Sequence, residues 1–158
     1  MVPVWDAAEI IMANMNPRLT LTRIFTFDTA HSLDNYPGKC RHIHGHTYTL
    51  FVTIEGPVIN ENGHPYDGMI MDFSDLKNWV HQAVLKKFDH FLLLRKGSAL
   101  SKMEYPEWDH IYLTSYQPSC ENILMDISGK LLATIPDGIR LSRVKLHETP
   151  TAFAEVEF

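Results

Sequence analysis

The sequence predicts an α+β fold built on an antiparallel sheet. Three observations lead to this prediction: two alternating apolar and polar stretches near the N-terminus, two amphipathic helical stretches in the middle, and two further alternating stretches at the C-terminus. Strands that are grouped apart from the helices are typical of the α+β class and pair antiparallel through short connections. At 158 residues, the chain is long enough for one domain with a buried core.

The first two predicted strands, 19–31 and 44–54, alternate apolar and polar residues along most of their length. Because successive side chains of a strand point to opposite faces, the alternation places His31 on the apolar face of the first strand. By the same rule, His44 and His46 lie on the apolar face of the second strand. Antiparallel pairing of these two strands would bring the three histidines together.

Two amphipathic helices are predicted in the middle of the chain. The first runs over 72–88 with Asp72 or Ser74 as its N-cap, and Asp72 is interpreted as a structural residue. Ser119 is predicted to cap the second helix, which ends before 136–138. The apolar residues that recur along one side are Leu76, Val80, Val84 and Phe88 in the first helix and Ile123, Ile127 and Leu131 in the second.

The remaining segments are predicted to be connections and two final strands. Residues 95–117 are polar and aromatic and are predicted to form a long loop. The stretches 140–148 and 151–158 alternate like strands on either side of a turn at Thr149-Pro150. Residues 1–18 are interpreted as an N-terminal extension, and 19–158 as the domain itself.

Composition and charge argue against several classes of protein. The net charge is −5 with histidine counted as neutral, and the basic residues are scattered, so no nucleic-acid surface is predicted. We find no apolar run long enough to cross a membrane and no signal-peptide pattern at the N-terminus. The two cysteines, Cys40 and Cys120, are too few for a disulfide framework and favour a reducing cytoplasm.

The histidines on the two strands predict a zinc site. A single buried histidine is usually only hydrogen-bonded, but His31, His44 and His46 converge as zinc ligands do. Three protein ligands leave a fourth position for water or substrate, which is typical of a catalytic zinc. His42 shares the strand parity of His44 and His46, so the spacing alone leaves it open as a ligand.

Cys40 and the Asp89-His90 pair are candidates for proton transfer. Cys40 follows Lys39, and a nearby cation favours the thiolate, although an inert cysteine fits the sequence equally well. Asp89-His90 follows the first helix, where a solvated pair is the simpler interpretation. The pair gains functional interest if His90 approaches Cys40, because a thiol needs an adjacent base to exchange protons near neutral pH.

Two glutamates are candidates for binding a ligand. Glu121 opens the second helix, where the helix N-terminus favours a carboxylate for structural reasons alone. Glu148 shares the strand parity of Val144 and Leu146 and is therefore predicted to point inward. An inward carboxylate needs a partner, and two N–H donors of a flat heterocycle would provide one.

Six segments between residue 19 and the C-terminus carry a further signal. They are Phe27-Asp28-Thr29-Ala30-His31, Cys40-Arg41-His42-Ile43-His44-Gly45-His46, Met71-Asp72-Phe73-Ser74-Asp75-Leu76-Lys77, Phe88-Asp89-His90, Pro118-Ser119-Cys120-Glu121-Asn122 and His147-Glu148-Thr149. In this order the segments resemble the family of the 6-pyruvoyltetrahydropterin and 6-carboxytetrahydropterin synthases. The set as a whole is specific, although no single segment is.

The resemblance implies a tunnelling fold, with an antiparallel four-stranded sheet and two helices on one side. It implies that three subunits join their sheets into a barrel and that two barrels stack into a hexamer. It also implies a small-molecule pterin triphosphate as substrate. The loop 95–117 and the extension 1–18 exceed the compact bacterial pattern. They are interpreted as surface decoration, with a reshaped pocket entrance or subunit interface as the alternative.

The resemblance also implies roles in catalysis. Zinc would bind His31, His44 and His46, and His42 is left out on this ground alone. The residues of proton transfer would be Cys40, as the acid and base thiol, and Asp89 and His90, as the relay.

The pterin pocket follows from the same resemblance. Glu148 would anchor the pterin ring and join the relay. Ser119 and Glu121 would lie in the pocket, which a neighbouring subunit completes. Cys120 stands between them where family members carry a hydroxyl residue, and its thiol is a weaker hydrogen-bond donor.

The spacing of Cys40 and His44 separates two branches of this family. Three residues lie between them here, as in the 6-carboxytetrahydropterin synthases of queuosine biosynthesis, whereas the animal-type pyruvoyl enzymes have a longer spacing. The resemblance therefore implies conversion of 7,8-dihydroneopterin triphosphate to 6-carboxy-5,6,7,8-tetrahydropterin, acetaldehyde and triphosphate. The alternatives are a pyruvoyl-type synthase that retains the side chain and a non-catalytic zinc-binding oligomer.

Overall fold

Six β-strands form one sheet in the computed structural model, which describes residues 18–158. Their order across the sheet is β4-β3-β1-β2-β5-β6. The strands are β1 (Thr20–His31), β2 (His44–Glu55), β3 (Phe91–Arg95), β4 (Ile111–Thr114), β5 (Arg140–Thr149) and β6 (Ala152–Glu157). Apart from Arg18, the predicted extension 1–18 lies outside the described residues.

The four strands predicted from the sequence are β1, β2, β5 and β6. β1 pairs antiparallel with β2 over its whole length, from Thr20 opposite Glu55 to His31 opposite His44. β5 pairs antiparallel with both β2 and β6. The predicted bounds agree with the observed bounds to within one residue at each end. Alternation with period two therefore predicts these four strands correctly.

The sheet has six strands, so the prediction of four was wrong. β3 and β4 extend the sheet beyond β1 and run parallel to it, with Thr29–His31 paired to Phe91–Leu93. β3 is a short apolar run without alternation, and periodicity does not distinguish such a strand from a helix. β4 lies inside the predicted loop 95–117, because β3 offers this segment backbone partners that are remote in the sequence.

Two helical elements cover one face of the sheet. α1 (73–88) begins as an α-helix at Phe73–Val80, widens into a π-helical stretch at His81–Leu85 and closes with an α-helical turn at Lys86–Phe88. α2 is the α-helix Cys120–Leu132. Neither helix is long and apolar enough to span a bilayer, and the same holds for every helix within residues 18–158.

Both predicted helix caps are confirmed. The Asp72 carboxylate accepts a hydrogen bond from the backbone N–H of Ser74 at 2.6 Å. The Ser119 hydroxyl accepts one from the backbone N–H of Asn122 at 3.5 Å. Each cap satisfies a backbone donor that the first turn of a helix leaves without an intrahelical partner.

The core lies between the helices and the sheet. The four stripe residues of α1 are fully buried, although positions four apart in an α-helix drift by about 40° per step around the axis. The wider π-helical turn at His81–Leu85 reduces this drift and keeps Val84 and Phe88 on the buried face. Burial of each such side chain stabilises the fold by about 1.5–3 kcal/mol.

A polar network fastens the β4 segment to α2. The Tyr112 and Tyr116 hydroxyls donate to Asp126 Oδ2 at 3.0 and 2.6 Å, and Lys130 donates to Asp126 Oδ1. Burial raises the pKa of Asp126, but the hydrogen bonds from Lys130, Tyr116 and Tyr112 outweigh it and hold the pKa below its ordinary value. The charged carboxylate is therefore the form that holds the network together.

We expect Asp126→Asn to lower the free energy of unfolding by about 1–3 kcal/mol at pH 7, because buried donors lose a charged acceptor. Since the pKa of Asp126 is lower in the folded chain than in the unfolded chain, its stabilisation is present at neutral pH. It is lost as the pH falls through the folded-state pKa. Urea unfolding curves recorded from pH 7 down to about pH 2 would measure the difference between variant and wild type.

The matched control is Asp109→Asn, because Asp109 lies exposed at the surface and pairs with the neighbouring His110. We expect this change to leave the unfolding midpoint in urea at pH 7 unaltered. If the loss of unfolding free energy in Asp126→Asn stayed constant across the pH range, this would contradict the charge-based account of the network.

Candidate metal centre and substrate pocket

Three histidines meet where β1 ends and β2 begins. His31 lies directly opposite His44 in the antiparallel pairing, and His46 lies opposite Thr29. The ring nitrogens that could bind a metal all lie within 4.8 Å of one another. His31 is buried, and His44 and His46 are partly exposed. The sequence-predicted trio is thus brought together and could hold a metal ion.

Gly45 lets the two strands approach each other closely between the paired histidines. It lies opposite Ala30, and a Cβ atom at position 45 would come within 3.2 Å of the backbone oxygen of Thr29. That distance is shorter than an ordinary van der Waals contact, so a larger residue would push β2 away from β1. The glycine therefore keeps His44 and His46 close to His31.

Backbone carbonyls fix the orientation of two of the three rings. His31 Nδ1 lies 2.6 Å from the Pro118 carbonyl oxygen, and His44 Nδ1 lies 2.9 Å from the His42 carbonyl oxygen. A carbonyl only accepts, so each Nδ1 carries the proton and each neutral ring presents the lone pair of Nε2. Burial lowers the pKa of His31 despite its hydrogen bond to Pro118, which favours this neutral form.

The lone pairs of the cluster converge without a donor between them. His31 Nε2 and His44 Nε2 are 3.1 Å apart, and the buried His46 Nε2 has no hydrogen-bond partner in residues 18–158. Converging lone pairs repel one another unless a cation lies between them. Imidazole nitrogens whose other N–H is held by a carbonyl are the usual ligands of zinc, so these donors fit that ion.

His42, which the strand parity left open as a ligand, is not part of the cluster. Its side chain is exposed, and its Nε2 accepts a hydrogen bond from Arg41 Nε at 3.4 Å. The chain before His44 is a turn rather than a strand, so the parity argument does not extend to His42. The backbone carbonyl of His42 contributes to the site by orienting the His44 ring.

Glu148 brings a carboxylate to the histidine cluster, as its strand parity predicts. Its Oε1 lies 3.7 Å from His31 Nε2 and 3.9 Å from His46 Nε2. Tyr48 is fully buried and donates its hydroxyl hydrogen to the same oxygen at 3.2 Å. Burial raises the pKa of Tyr48 and the Glu148 charge raises it further, so the phenol stays protonated. Sequence reasoning assigned Tyr48 no role, although it shares the strand face of His44 and His46.

The start of α2 borders this region with residues of different character. The Cys120 thiol donates to the carbonyl of Leu146 at 3.5 Å, and burial raises its pKa to about 11, so it is protonated at neutral pH. Glu121 is exposed, and hydrogen bonds from its own backbone N–H and from the Ser119 hydroxyl lower its pKa. Cys120 is therefore a neutral, half-buried group, and Glu121 is a charged surface group.

Cys40 lies in a 3-10 helical turn, Lys39–Arg41, shortly before β2. Two hydrogen bonds fasten this turn to the chain that leaves β1. The Leu33 N–H donates to the Cys40 carbonyl at 2.9 Å, and the Ser32 hydroxyl donates to the Arg41 carbonyl at 2.7 Å. The Cys40 side chain is partly exposed. In the sequence, the thiol precedes His44, the first histidine of β2, by four positions.

Asp89 and His90 lie against the opposite face of the sheet. The His90 N–H donates to the Asp28 carbonyl at 2.6 Å, and Asp89 Oδ1 accepts from the Asp28 N–H at 3.1 Å. The Asp28 side chain points away from the face that carries His31, and Thr47 donates to it at 2.6 Å. Within residues 18–158, no hydrogen bond links the Asp89-His90 pair to Cys40. The hydrogen bonds of the pair run to β1 instead.

The conformation of His90 turns its side chain towards solvent. His90 has φ of 64°, a left-handed conformation that is uncommon for residues other than glycine. Its side chain is 75% exposed, and its Nδ1 lies 2.9 Å from Asp89 Oδ1. The carboxylate fixes the proton on Nδ1 and leaves Nε2 free to exchange a proton with another group.

A cavity of about 630 Å³ opens beside His90. Its wall includes Ala30 and Thr47 from the sheet and Trp108, Asp109 and His110 from the segment before β4. The segment before β4 is thus part of a cavity wall. Sequence reasoning missed these residues, although the Asp-His dipeptide at 109–110 repeats the dipeptide at 89–90 ahead of the next parallel strand.

Known proteins match this chain over nearly its whole length. The family model described as 6-pyruvoyl tetrahydropterin synthase matches residues 20–157. The 6-carboxy-5,6,7,8-tetrahydropterin synthase of Haemophilus influenzae is 30% identical over 141 residues, which are 87% of this chain and 97% of that relative.

Solved structures share the fold. An uncharacterized protein from Wolinella succinogenes has a TM-score of 0.72 at 20% identity, covering 89% of this chain and 98% of its own. The 6-pyruvoyl tetrahydropterin synthase of Caenorhabditis elegans has a TM-score of 0.65 at 24% identity, covering 90% and 96%. The family model match and the identity to the Haemophilus enzyme show that the chain belongs to the 6-pyruvoyl tetrahydropterin synthase family.

Proposed function

We propose that this protein is a zinc-dependent 6-carboxy-5,6,7,8-tetrahydropterin synthase of queuosine biosynthesis. The reaction converts 7,8-dihydroneopterin triphosphate and one water into 6-carboxy-5,6,7,8-tetrahydropterin, acetaldehyde and triphosphate. The observation that carries the proposal is the convergence of three imidazole nitrogens beside a carboxylate that a buried phenol holds in place. The name of the Haemophilus influenzae relative supports the choice of reaction.

His31, His44 and His46 hold the metal in this proposal. The carbonyls of Pro118 and His42 orient two of the rings, so little reorganisation accompanies binding of the ion. When bound, zinc polarises the oxygens of the substrate side chain and makes the adjacent C–H and O–H groups more acidic. Three protein ligands leave room for those oxygens.

Glu148 anchors the pterin ring. Its Oε1 accepts the Tyr48 hydrogen bond, so Oε2 is available to an N–H group of the heterocycle. At 27% exposure, Glu148 is open enough to meet a ligand and shielded enough for a charged hydrogen bond to be strong. Ser119, Cys120 and Glu121, at the start of α2, border the same pocket.

Cys40 and the Asp89-His90 pair move the protons. The Cys40 sulfur, which Lys39 and Arg41 flank in the chain, accepts a proton from the substrate side chain. His90 exchanges a proton at Nε2, and Asp89 holds its Nδ1–H. Because no hydrogen bond within residues 18–158 joins His90 to Cys40 or to the histidine cluster, we assign it to the site of a neighbouring chain.

The free edges of the sheet support association of identical chains. Within residues 18–158, the part of β1 before Thr29 has no strand on the side away from β2, and β6 pairs only with β5. Such edges present unpaired N–H and C=O groups that another strand can satisfy. We propose that three chains join these edges into a barrel and that two barrels stack into a hexamer.

Three further features belong to the proposal. Residues 19–158 form the pterin synthase domain, and 1–18 form an extension to it. The protein works in the cytoplasm, consistent with the free thiols of Cys40 and Cys120.

A 6-pyruvoyltetrahydropterin synthase, which eliminates triphosphate and keeps the side chain, is the second candidate, because the same groups could catalyse that reaction.

The identity of the product distinguishes the two candidate reactions. We expect the zinc-loaded protein to convert 7,8-dihydroneopterin triphosphate to 6-carboxy-5,6,7,8-tetrahydropterin with an equal amount of acetaldehyde, measured by mass spectrometry and by an acetaldehyde assay. A pyruvoyl product without acetaldehyde would support the second candidate instead. A protein with stoichiometric zinc and no product would support a non-catalytic zinc-binding oligomer.

The zinc content of histidine variants tests which residues bind the metal. We expect His44→Ala to lose zinc and activity together, because two imidazoles hold the ion far less tightly than three. His42→Ala is the matched control and should retain stoichiometric zinc, measured by elemental mass spectrometry of the purified protein. Zinc that is retained in His44→Ala and lost in His42→Ala would show that the ligand set is wrong.

Refolding two inactive variants together tests whether Cys40 and His90 of different chains share one active site. We expect Cys40→Ala and His90→Ala to be inactive separately and to recover activity after they are unfolded and refolded together. Random mixing would place both intact groups in about one quarter of the sites, because each site draws on two chains. Enzyme assays of the mixture against each variant refolded alone would measure the recovery. A mixed oligomer with no recovery would place both groups in one chain.

A further inference from the structure

We propose that Tyr48 is a positioning residue that keeps Glu148 from becoming a fourth ligand of the metal. The inference rests on the zinc site of the proposed function and explains how one ligand position stays open for substrate. It gives the Tyr48 hydroxyl a role that is separate from metal binding and from proton transfer.

Glu148 lies almost within reach of the metal position. Zinc binds nitrogen at about 2.0–2.1 Å and oxygen at about 2.0–2.2 Å, so neighbouring ligands of a tetrahedral ion are about 3.3–3.5 Å apart. Glu148 Oε1 lies 3.7 Å from His31 Nε2 and 3.9 Å from His46 Nε2. A shift of a few tenths of an ångström would therefore give the carboxylate the spacing of a ligand relative to His31 and His46. A fourth protein ligand closes a zinc site, as in structural zinc centres.

Tyr48 opposes that shift through a hydrogen bond from a rigid position. Its hydroxyl donates to Glu148 Oε1, the oxygen that faces the histidines, at 3.2 Å. The Tyr48 ring is fully buried and stacks on Phe27 at 5.4 Å between ring centroids. The Tyr48 and His46 rings pack in a T-shaped arrangement, with 5.7 Å between their centroids. Because close packing prevents the ring from following the carboxylate, movement of Glu148 towards the metal would break the bond.

No second side chain shares this task within residues 18–158. Tyr48 is the one side chain that donates a hydrogen bond to the Glu148 carboxylate there. The Cys120 thiol lies nearby, but it donates to the Leu146 carbonyl instead. Removal of the Tyr48 hydroxyl therefore frees the oxygen that is nearest to the ligands, and a metal ion is the strongest available partner for it.

Cobalt(II) substitution tests this proposal directly, because its visible spectrum reports the number and type of ligands. We expect cobalt-loaded wild-type protein at pH 7 to bind azide at the open position with a clear spectral change. In Tyr48→Phe, we expect Glu148 to occupy that position and the azide dissociation constant to rise by about tenfold or more, the usual size of an outer-shell effect.

Two further variants separate positioning from general damage. Tyr105→Phe also removes a phenol hydroxyl, which donates to the Leu100 carbonyl in the segment between β3 and β4, and it should bind azide like the wild type. In the double variant Tyr48→Phe/Glu148→Gln, the carboxylate is replaced by a weaker ligand. We expect azide binding to return to within about threefold of the wild type.

An unaltered cobalt spectrum and azide affinity in Tyr48→Phe would overturn the proposal. So would a loss of azide binding that Glu148→Gln does not restore, because the effect would then not pass through the carboxylate. Wild-type protein that takes up no cobalt would overturn the metal site as well. Azide binding needs no pterin, so a failure of the proposed reaction would be seen separately, as an intact spectral response without turnover.

Discussion

The pairing of β1 with β2 is the constraint on which the rest of the site depends. It sets His31 opposite His44, and a shift of one residue would turn His44 and His46 to the outer face of the sheet. Burial fixes the register, because Phe27 and Tyr48 lie opposite each other and stack in the core. The apolar face of the sheet thus fixes the register that holds the nitrogens of three imidazole rings close together.

The core and the polar site meet at Tyr48. Its ring belongs to the apolar cluster that packs against α1 and α2, while its hydroxyl is bonded to Glu148. The carbonyl that orients His31 comes from Pro118, just before the cap of α2. Packing of α2 on the sheet therefore positions both the ring of a metal ligand and the start of the pocket. Changes in that packing would reach the site without touching a ligand.

Local patterns predicted the parts of the fold that depend on local physics. The four antiparallel strands follow from alternation, the caps at Asp72 and Ser119 follow from side-chain chemistry, and the meeting of the three histidines follows from strand parity. β3 and β4 depend on parallel pairing between segments that are remote in the sequence, which periodicity does not encode.

The position of the Asp89-His90 pair was beyond prediction for a related reason. It depends on a single left-handed residue, His90, that directs the chain out of α1 and onto the outer side of the sheet. His42 was left open because strand parity was extended into a turn, where side chains no longer alternate. At His90, residue type does not reveal the left-handed dihedral that the backbone adopts.

The separation of the proposed metal site from the Asp89-His90 pair links chemistry to assembly. Leu33 and Ser32 tie the turn that carries Cys40 to the chain that leaves β1 just after His31. His90 projects from the opposite face, beside a cavity that the segment before β4 helps to enclose. Under the proposed function, only contact between chains closes the distance between thiol and relay. That contact would lie against Trp108 and His110, so the segment that enlarges this chain would shape the interface at which the protons move.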